Sequence, residues 1–313
     1  MRPAMMSDMK GFLLFSLLLL SPLTGHAQDF PLPPQDVDLV GRVQVIEAAH
    51  EDTLLDIARR HQLGHDEILL ANPGVDRWLP GDGTPVTLPT RFILPAGERE
   101  GLVLNVPEMR LYYYPPAAGD ERRVVRTWPV SVGRMDWNTP LGSWKIIRKQ
   151  TDPAWYPPAS IREEAAARGE PLPEVVPAGP DNPLGRHALR LSVPGYLIHG
   201  TNKPWGIGMR VTHGCIRMYP EDVAVLYEQV PVGTPVRIVN QTVKAGWLLG
   251  TLYLEVHPPL EEDRPGRELL LSIALDAIEA ATEGRPPVRL SGRRIKQAVE
   301  NPSGYPVPVS LPE

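Results

Sequence analysis

Between Gly101 and Gln150 the runs LVLNV, MRLYYY, RRVVRTWPVSVG and GSWKIIRKQ follow one another with no helical period between them. Apolar residues recur at every second position in Leu111 and Tyr113 and again in Val130 and Val132, which suits half-buried sheet faces. Strands without intervening helices favour an antiparallel, sandwich-like domain over a βαβ sheet, because parallel neighbours need a long crossover. HALRLSVPGYLIHG returns to strand, YPEDVAVLYEQV carries Val223, Leu226 and Tyr227 at helical spacing, and TPVRIV closes the domain near Val239. A long insertion, TDPAWYPP to DNPLG, is Pro-rich at both ends around a short helix expected over 161–168. Insertions of that length inside a domain are usually lids or binding loops. The expected class is mainly β, with one or two short helices, over residues 100–239.

The flanks differ in composition. Residues 1–27 read as a secretory signal: Arg2 and Lys10, then GFLLFSLLLL, then small residues at Gly25 and Ala27. The competing reading is an uncleaved anchor, but the apolar run from Gly11 to Leu20 falls short of the roughly 20 residues a bilayer span needs. The mature chain is therefore expected to be exported, with no membrane span. Residues 1–27 hold Arg2, Lys10 and Asp8, so cleavage takes the net charge from −5 to −6. An acidic balance argues against nucleic acid as a partner. Prolines, 37 of 313, exceed the usual share of about 5% and cluster at boundaries such as 31–34, 258–265 and 302–312. Residues 28–40 read as a linker. In 41–95, RVQVIEA alternates as a strand, and Thr53 with Asp56 opens a helix bearing Leu54, Ile57 and Ala58. A second helix, Asp66 to Ala71, stops at Asn72-Pro73-Gly74, and TPVTLP is a closing strand. Residues 240–313 hold one strand-like run, GTLYLEVH, and helical patterns over 267–281 and 291–299. That segment shows no chemistry and reads as a packing appendage.

The chemistry concentrates in HGTNKPWGIGMRVTHGCIRM, His199 to Met218, which contains the only cysteine, Cys215. One cysteine cannot form an internal disulfide, and an exported free thiol is a liability unless it is used. A cysteine nucleophile needs its thiolate, and a neighbouring histidine or positive field must favour it. His199 ends a strand, while His213 and Cys215 lie on the turn leading into the helix near Tyr219. Gly200 and Gly214 remove side chains where a substrate backbone would approach, and N–H groups around Gly214 and Cys215 are candidates for an oxyanion hole. Structural readings compete: a hydrogen-bonded core histidine, a tight turn, or a metal trio. His-x-Cys with one distant His lacks the usual zinc spacing, and no carboxylate completes it.

HGT…VTHGCIRM resembles the signature of the L,D-transpeptidase (YkuD-type) catalytic domain, in which a cysteine, two histidines and their glycines must all coincide. TPLGSW and DPAWYPP look like that family's early turn and substrate-loop tryptophan, Trp155. DTLLDIA and ANP, in the order strand, helix, helix, strand, resemble the LysM module, a small α+β fold that binds glycans such as peptidoglycan. With VNQTVKAGWLLGTLYLEVHPPL behind them, these features look most like the periplasmic ErfK/YbiS/YcfS/YnhG group of Gram-negative bacteria.

The resemblance implies that Cys215 attacks the L,D bond of a peptidoglycan tetrapeptide stem and expels D-alanine, with His199 as base and acid. It implies that His213, Gly214 and Thr212 shape the pocket, and that Arg217, Gly200 and Trp155 meet the substrate. Arg217 has a structural alternative, pairing with Glu221 or Asp222. The thioester would pass to an amine on a second stem, to a lysine of an outer-membrane lipoprotein, or to water. No metal or organic cofactor is implied. A thiol hydrolase such as an L,D-carboxypeptidase shares every one of these residues, and a non-catalytic peptidoglycan-binding scaffold is the third class. The N-terminal module is expected to act as a tether that raises local substrate concentration.

Overall fold

The computed structural model describes residues 28–34, 36–116, 122–263 and 266–312, and the signal-like stretch over 1–27 lies outside them. Strands Gly101–Asn105 and Arg110–Tyr114 are buried at every position rather than on one face. Their alternation explains why. Leu102, Leu104, Leu111 and Tyr113 enter one core, with Trp128, Ile198, Ile216 and Leu226. Val103, Tyr112 and Tyr114 point the other way, into a second core with Val40, Phe92 and Leu94. The expectation of half-buried faces fails because N-terminal residues cover the outer face.

Among the described residues these strands belong to a nine-stranded sheet. Its order is Gln28–Pro31, Val124–Pro129, Arg110–Tyr114, Gly101–Asn105, Pro235–Val239, Gly142–Thr151, His187–Leu191, Leu197–His199, Ile216–Arg217. Most neighbours are antiparallel, as expected. Two pairs are parallel, Gly101–Asn105 with Pro235–Val239 and Leu197–His199 with Ile216–Arg217, where long connections supply the crossover. The ten-residue strand Gly142–Thr151 pairs first with Pro235–Val239 and then, after a register shift between Ile146 and Arg148, with His187–Leu191. Such an irregularity bends a strand, and the sheet curls until Ser131 and Arg217 exchange backbone hydrogen bonds of 2.8 and 3.0 Å. Two short helices accompany it, Ala159–Ala167 in the insertion and Pro220–Gln229 against the core.

The N-terminal unit has the expected element order. Strands Gln44–Glu47 and Pro85–Leu88 pair around helices Leu54–Arg60 and His65–Ala71. Thr53 and Asp56 form a capping box. Residues 28–40 do more than link: Gln28–Pro31 is an edge strand of the large sheet, and Leu39–Gly41 pairs with Arg91–Ile93. Nor is the unit a loose bead. The first N–H groups of helix His65–Ala71 donate to the carbonyls of Ile207 and Gly208, at 2.9 and 3.1 Å. A Cβ at Gly64 would lie 2.8 Å from the Gly208 Cα, so that approach requires glycine. Arg110, fully buried on the nine-stranded sheet, pairs with Glu67 at 2.6 Å.

The C-terminal segment builds its own core from strands Val243–Leu248, Thr251–Val256 and Val307–Pro308 and helices Arg267–Thr282 and Gly292–Glu300. It is joined to the rest by buried charge. Lys244 lies 2.9 Å from Glu108 and 2.7 Å from Glu255, and His257 lies 2.7 Å from Glu255. Glu108, Glu255 and His257 come close enough to share an ion, but the Lys244 ammonium already lies against both acids. No helix among the described residues is long and apolar enough to cross a membrane.

Candidate active site

Sheet register brings the chemistry together. Ile198 pairs with Ile216 in the parallel pair, both buried in the core, and His199 pairs with Arg217. Side chains alternate across a sheet, so His199 and Arg217 project from the face opposite those isoleucines. Cys215, one residue before its strand, continues the register opposite Leu197 on that same face. His199 and Cys215 are therefore diagonal neighbours on adjoining strands.

His199 is almost wholly buried, and its Nδ1 lies 2.6 Å from the Gly200 carbonyl oxygen. A carbonyl only accepts, so Nδ1 carries the proton and Nε2 keeps a lone pair. Burial, and then the Arg217 charge, lower its pKa to about 3. The Cys215 sulfur, half-buried, lies 3.7 Å from the Gly195 carbonyl oxygen. Burial pushes this thiol up, although an N–H bond from Leu197 and the Arg217 charge oppose that. The sequence led us to expect a neighbouring field that favours thiolate. In the resting site desolvation outweighs it and disfavours the charged form of both partners.

The turn before Cys215 is pinned by hydroxyls. Thr212 Oγ1 donates to the Cys215 carbonyl at 2.6 Å and accepts the Gly214 N–H at 3.2 Å. Thr139, from the TPLG turn, donates to the Gly214 carbonyl at 2.9 Å and accepts the Gly133 N–H at 2.9 Å. Gly214 has φ +95°, and a Cβ there would lie 2.6 Å from Tyr196. Its N–H is committed to Thr212, so of the two expected oxyanion donors the Cys215 N–H is the candidate left. Gly200 has a different reason from the one expected: a Cβ there would meet Val223 at 3.2 Å, so it lets helix Pro220–Gln229 pack closely.

His213 lines the cleft. Its Nε2 lies 3.0 Å from Glu164 Oε2, and its ring meets Trp137 edge-on at 5.1 Å. Glu164, on the insertion helix, also accepts from Arg134 at 2.7 Å. Arg134 above all, then His213, hold its carboxyl down at about 2. The sequence did not single out Glu164, because nothing local marks one acid in SIREEAAAR as facing the site. Arg217 does not take its structural alternative: Glu221 pairs with Arg59 at 3.0 Å, and Asp222 faces Gln62. The Arg217 Nε is buried without a partner among the described residues, and burial lowers the guanidinium pKa.

Cys215 and His213 open onto a cleft of about 650 Å³, walled by Trp137, Trp155, Tyr156 and Tyr196. Trp155 is held there by two backbone bonds of 2.8 Å with Val176. A separate cavity of about 760 Å³, beyond residues 134–136, lies against the N-terminal helix and does not contain Cys215. The cysteine, not size, marks this cleft as the candidate site.

The YkuD L,D-transpeptidase catalytic domain matches residues 99–238. "Probable L,D-transpeptidase YbiS" of Escherichia coli is 42% identical over 292 residues, covering 91% of this chain and 92% of that protein. "Probable L,D-transpeptidase YcfS" of Escherichia coli is 38% identical over 304 residues, covering 95% and 93%. A solved L,D-transpeptidase from Mycobacterium smegmatis aligns at 23% identity over 50% of this chain and 63% of that one, with a TM-score of 0.33.

Proposed function

Because the chain belongs to the L,D-transpeptidase family, we propose that its peptidoglycan L,D-transpeptidase reaction runs through Cys215 and His199 as a neutral pair. The observation that carries this reading is the buried His199 beside Cys215 on one sheet face, with its Nδ1 2.6 Å from the Gly200 carbonyl oxygen. That leaves Nε2 to take the thiol proton as sulfur bonds to the carbonyl of the third stem residue. The Cys215 N–H meets the developing oxyanion. The imidazolium then returns the proton to the departing nitrogen of D-alanine, the C–N bond breaks, and a thioester remains. An acceptor amine gives His199 a proton, attacks the thioester, and the sulfur leaves with that proton.

Arg217 has two opposing effects. Its charge favours negative sulfur but disfavours a protonated His199. The balance favours proton transfer only while sulfur is forming its bond. Thr212 and Gly214 hold the turn, His213 borders the carbonyl, and Trp155 offers an apolar wall to the stem. The acceptor is an amine of a second stem or of a lipoprotein lysine. The signal-like 1–27 supports action in the periplasm, and the LysM-like unit supports contact with glycan strands. The test is mass spectrometry of protein incubated with disaccharide-tetrapeptide and an amine acceptor. Wild type is expected to gain the acyl mass, release D-alanine and yield cross-linked product, while Cys215→Ala gains no mass. An adduct persisting in Cys215→Ala refutes the assignment, and trimmed tripeptide alone reassigns the chain as a hydrolase.

A further inference from the structure

The same register places two arginines where neither has a protein partner. Arg148 pairs directly with Arg190 across adjoining antiparallel strands, and Arg190 in turn pairs with Leu197. Cys215 follows opposite Leu197, so Arg148, Arg190, Leu197 and Cys215 form one row across four strands. Both arginines are exposed and line the cysteine's cleft. Among the described residues neither side chain has an ion pair or hydrogen bond. Like charges directly opposite on a sheet are destabilising. The register shift beside Arg148 brings it onto this row, and such irregularities re-aim side chains near active sites.

We propose that Arg148 and Arg190 together bind a free carboxylate of the donor stem, which deepens the transpeptidase reading and rests on it. Neighbouring strands are about 4.8 Å apart, so Arg190 stands roughly 10 Å from Cys215 along the row and Arg148 one strand beyond. In a stem whose second residue is an acid linked through its side-chain carboxyl, the α-carboxylate of that residue is left free. That group is about two residue lengths from the scissile carbonyl, roughly 7 Å at 3.3–3.6 Å per residue. A carboxylate there reaches guanidiniums extending from the row, and the planar fork suits it bidentately. Two facing cations then share one anion, which removes their repulsion and orients the stem with its third carbonyl over the sulfur. A third stem residue that is diaminopimelate carries a side-chain carboxylate of the same chemistry, so the experiment separates the two sources.

The assay measures kcat/KM for acyl-enzyme formation on three tetrapeptide stems: unmodified, amidated at the second residue, and amidated at diaminopimelate. Wild type is expected to lose roughly tenfold on one amidated stem, the scale of a charge-assisted hydrogen bond that is partly exposed. In Arg148→Gln/Arg190→Gln that discrimination should vanish, because the double variant is already slow on the unmodified stem. The doubly substituted Arg148→Lys/Arg190→Lys protein should keep part of it. Affinity of Cys215→Ala protein for the same stems should follow the same order. Loss of mutual repulsion should leave Tm unchanged or raised, which separates binding from folding. A wild type indifferent to both amidations, or a Gln double variant that still discriminates, overturns the proposal. If wild type forms no acyl-enzyme on any stem, the transpeptidase reading fails instead.

Discussion

Replacing Glu67 by glutamine should unfold the join between the N-terminal unit and the catalytic sheet. Arg110 is fully buried, and its Nη2 lies 2.6 and 2.9 Å from the two Glu67 carboxylate oxygens. The same guanidinium donates to the Gln62 carbonyl at 3.0 Å and stacks 4.2 Å above Phe92, so it cannot swing out to water. Burial pushes the Glu67 carboxyl up and Arg110 pulls it back. Glutamine keeps the volume and deletes the charge, leaving the guanidinium buried and unneutralised. Removing one partner of such a pair costs about 3–5 kcal/mol, a large part of the total stability of about 5–15 kcal/mol typical of a folded protein. Guanidinium chloride unfolding followed by tryptophan fluorescence should show that loss. Glu67→Met with Arg110→Met should recover most of it, since no lone charge remains. A loss under about 1 kcal/mol for Glu67→Gln alone would refute the argument. Deletion of 28–95 should then lower turnover even of a small soluble muropeptide, because the helix that grips Ile207 and Gly208 goes with it.

Gly214→Ala should cut acyl-enzyme formation by at least tenfold in a mass-spectrometric time course, since a Cβ would force Tyr196 and the cysteine turn apart. Resting Cys215 should react with iodoacetamide at pH 7 more slowly than free cysteine, because burial pushes its thiol up; an equal or faster rate overturns the neutral pair. His199, lowered to about 3, binds fewer protons folded than unfolded below its ordinary 6.5, so its share of stability is lost as pH falls from 6.5 to about 3. His199→Gln should flatten that part of a melting-temperature profile. Asp222 runs the opposite way: burial raises its carboxyl from 3.8 to about 8, so its stability share is lost as pH rises through that window. Asp222→Asn should gain on wild type between pH 6 and 9 in the same profile.

What the sequence disclosed follows the range of the forces involved. Local signals were legible: the Thr53–Asp56 capping box, the strand and helix order of the N-terminal unit, and the strands after Gly101 all depend on near neighbours. The candidate site segment stood out because its histidines, glycines and single cysteine are packed into twenty positions. Strand Val243–Leu248 escaped, since KAGWLL is a short apolar run that no period assigns. Burial on both faces of Arg110–Tyr114 escaped too, because what covers the outer face comes from residues 40 and 92–94.

Electrostatic state is the least legible property, and here it changes the mechanism. Cys215, His199 and Arg217 were all visible as letters, and a histidine near a cysteine suggests an ion pair formed before substrate arrives. The fold instead buries His199 under the helix that packs on Gly200, and desolvation counts against both charged forms. A preformed thiolate would be reactive towards any electrophile it met. A neutral thiol beside a lone-paired Nε2 becomes nucleophilic only when a carbonyl is held over it. Binding the stem correctly is then part of activation, which is why carboxylate recognition some 10 Å away along the sheet should appear in the rate of acylation as well as in affinity.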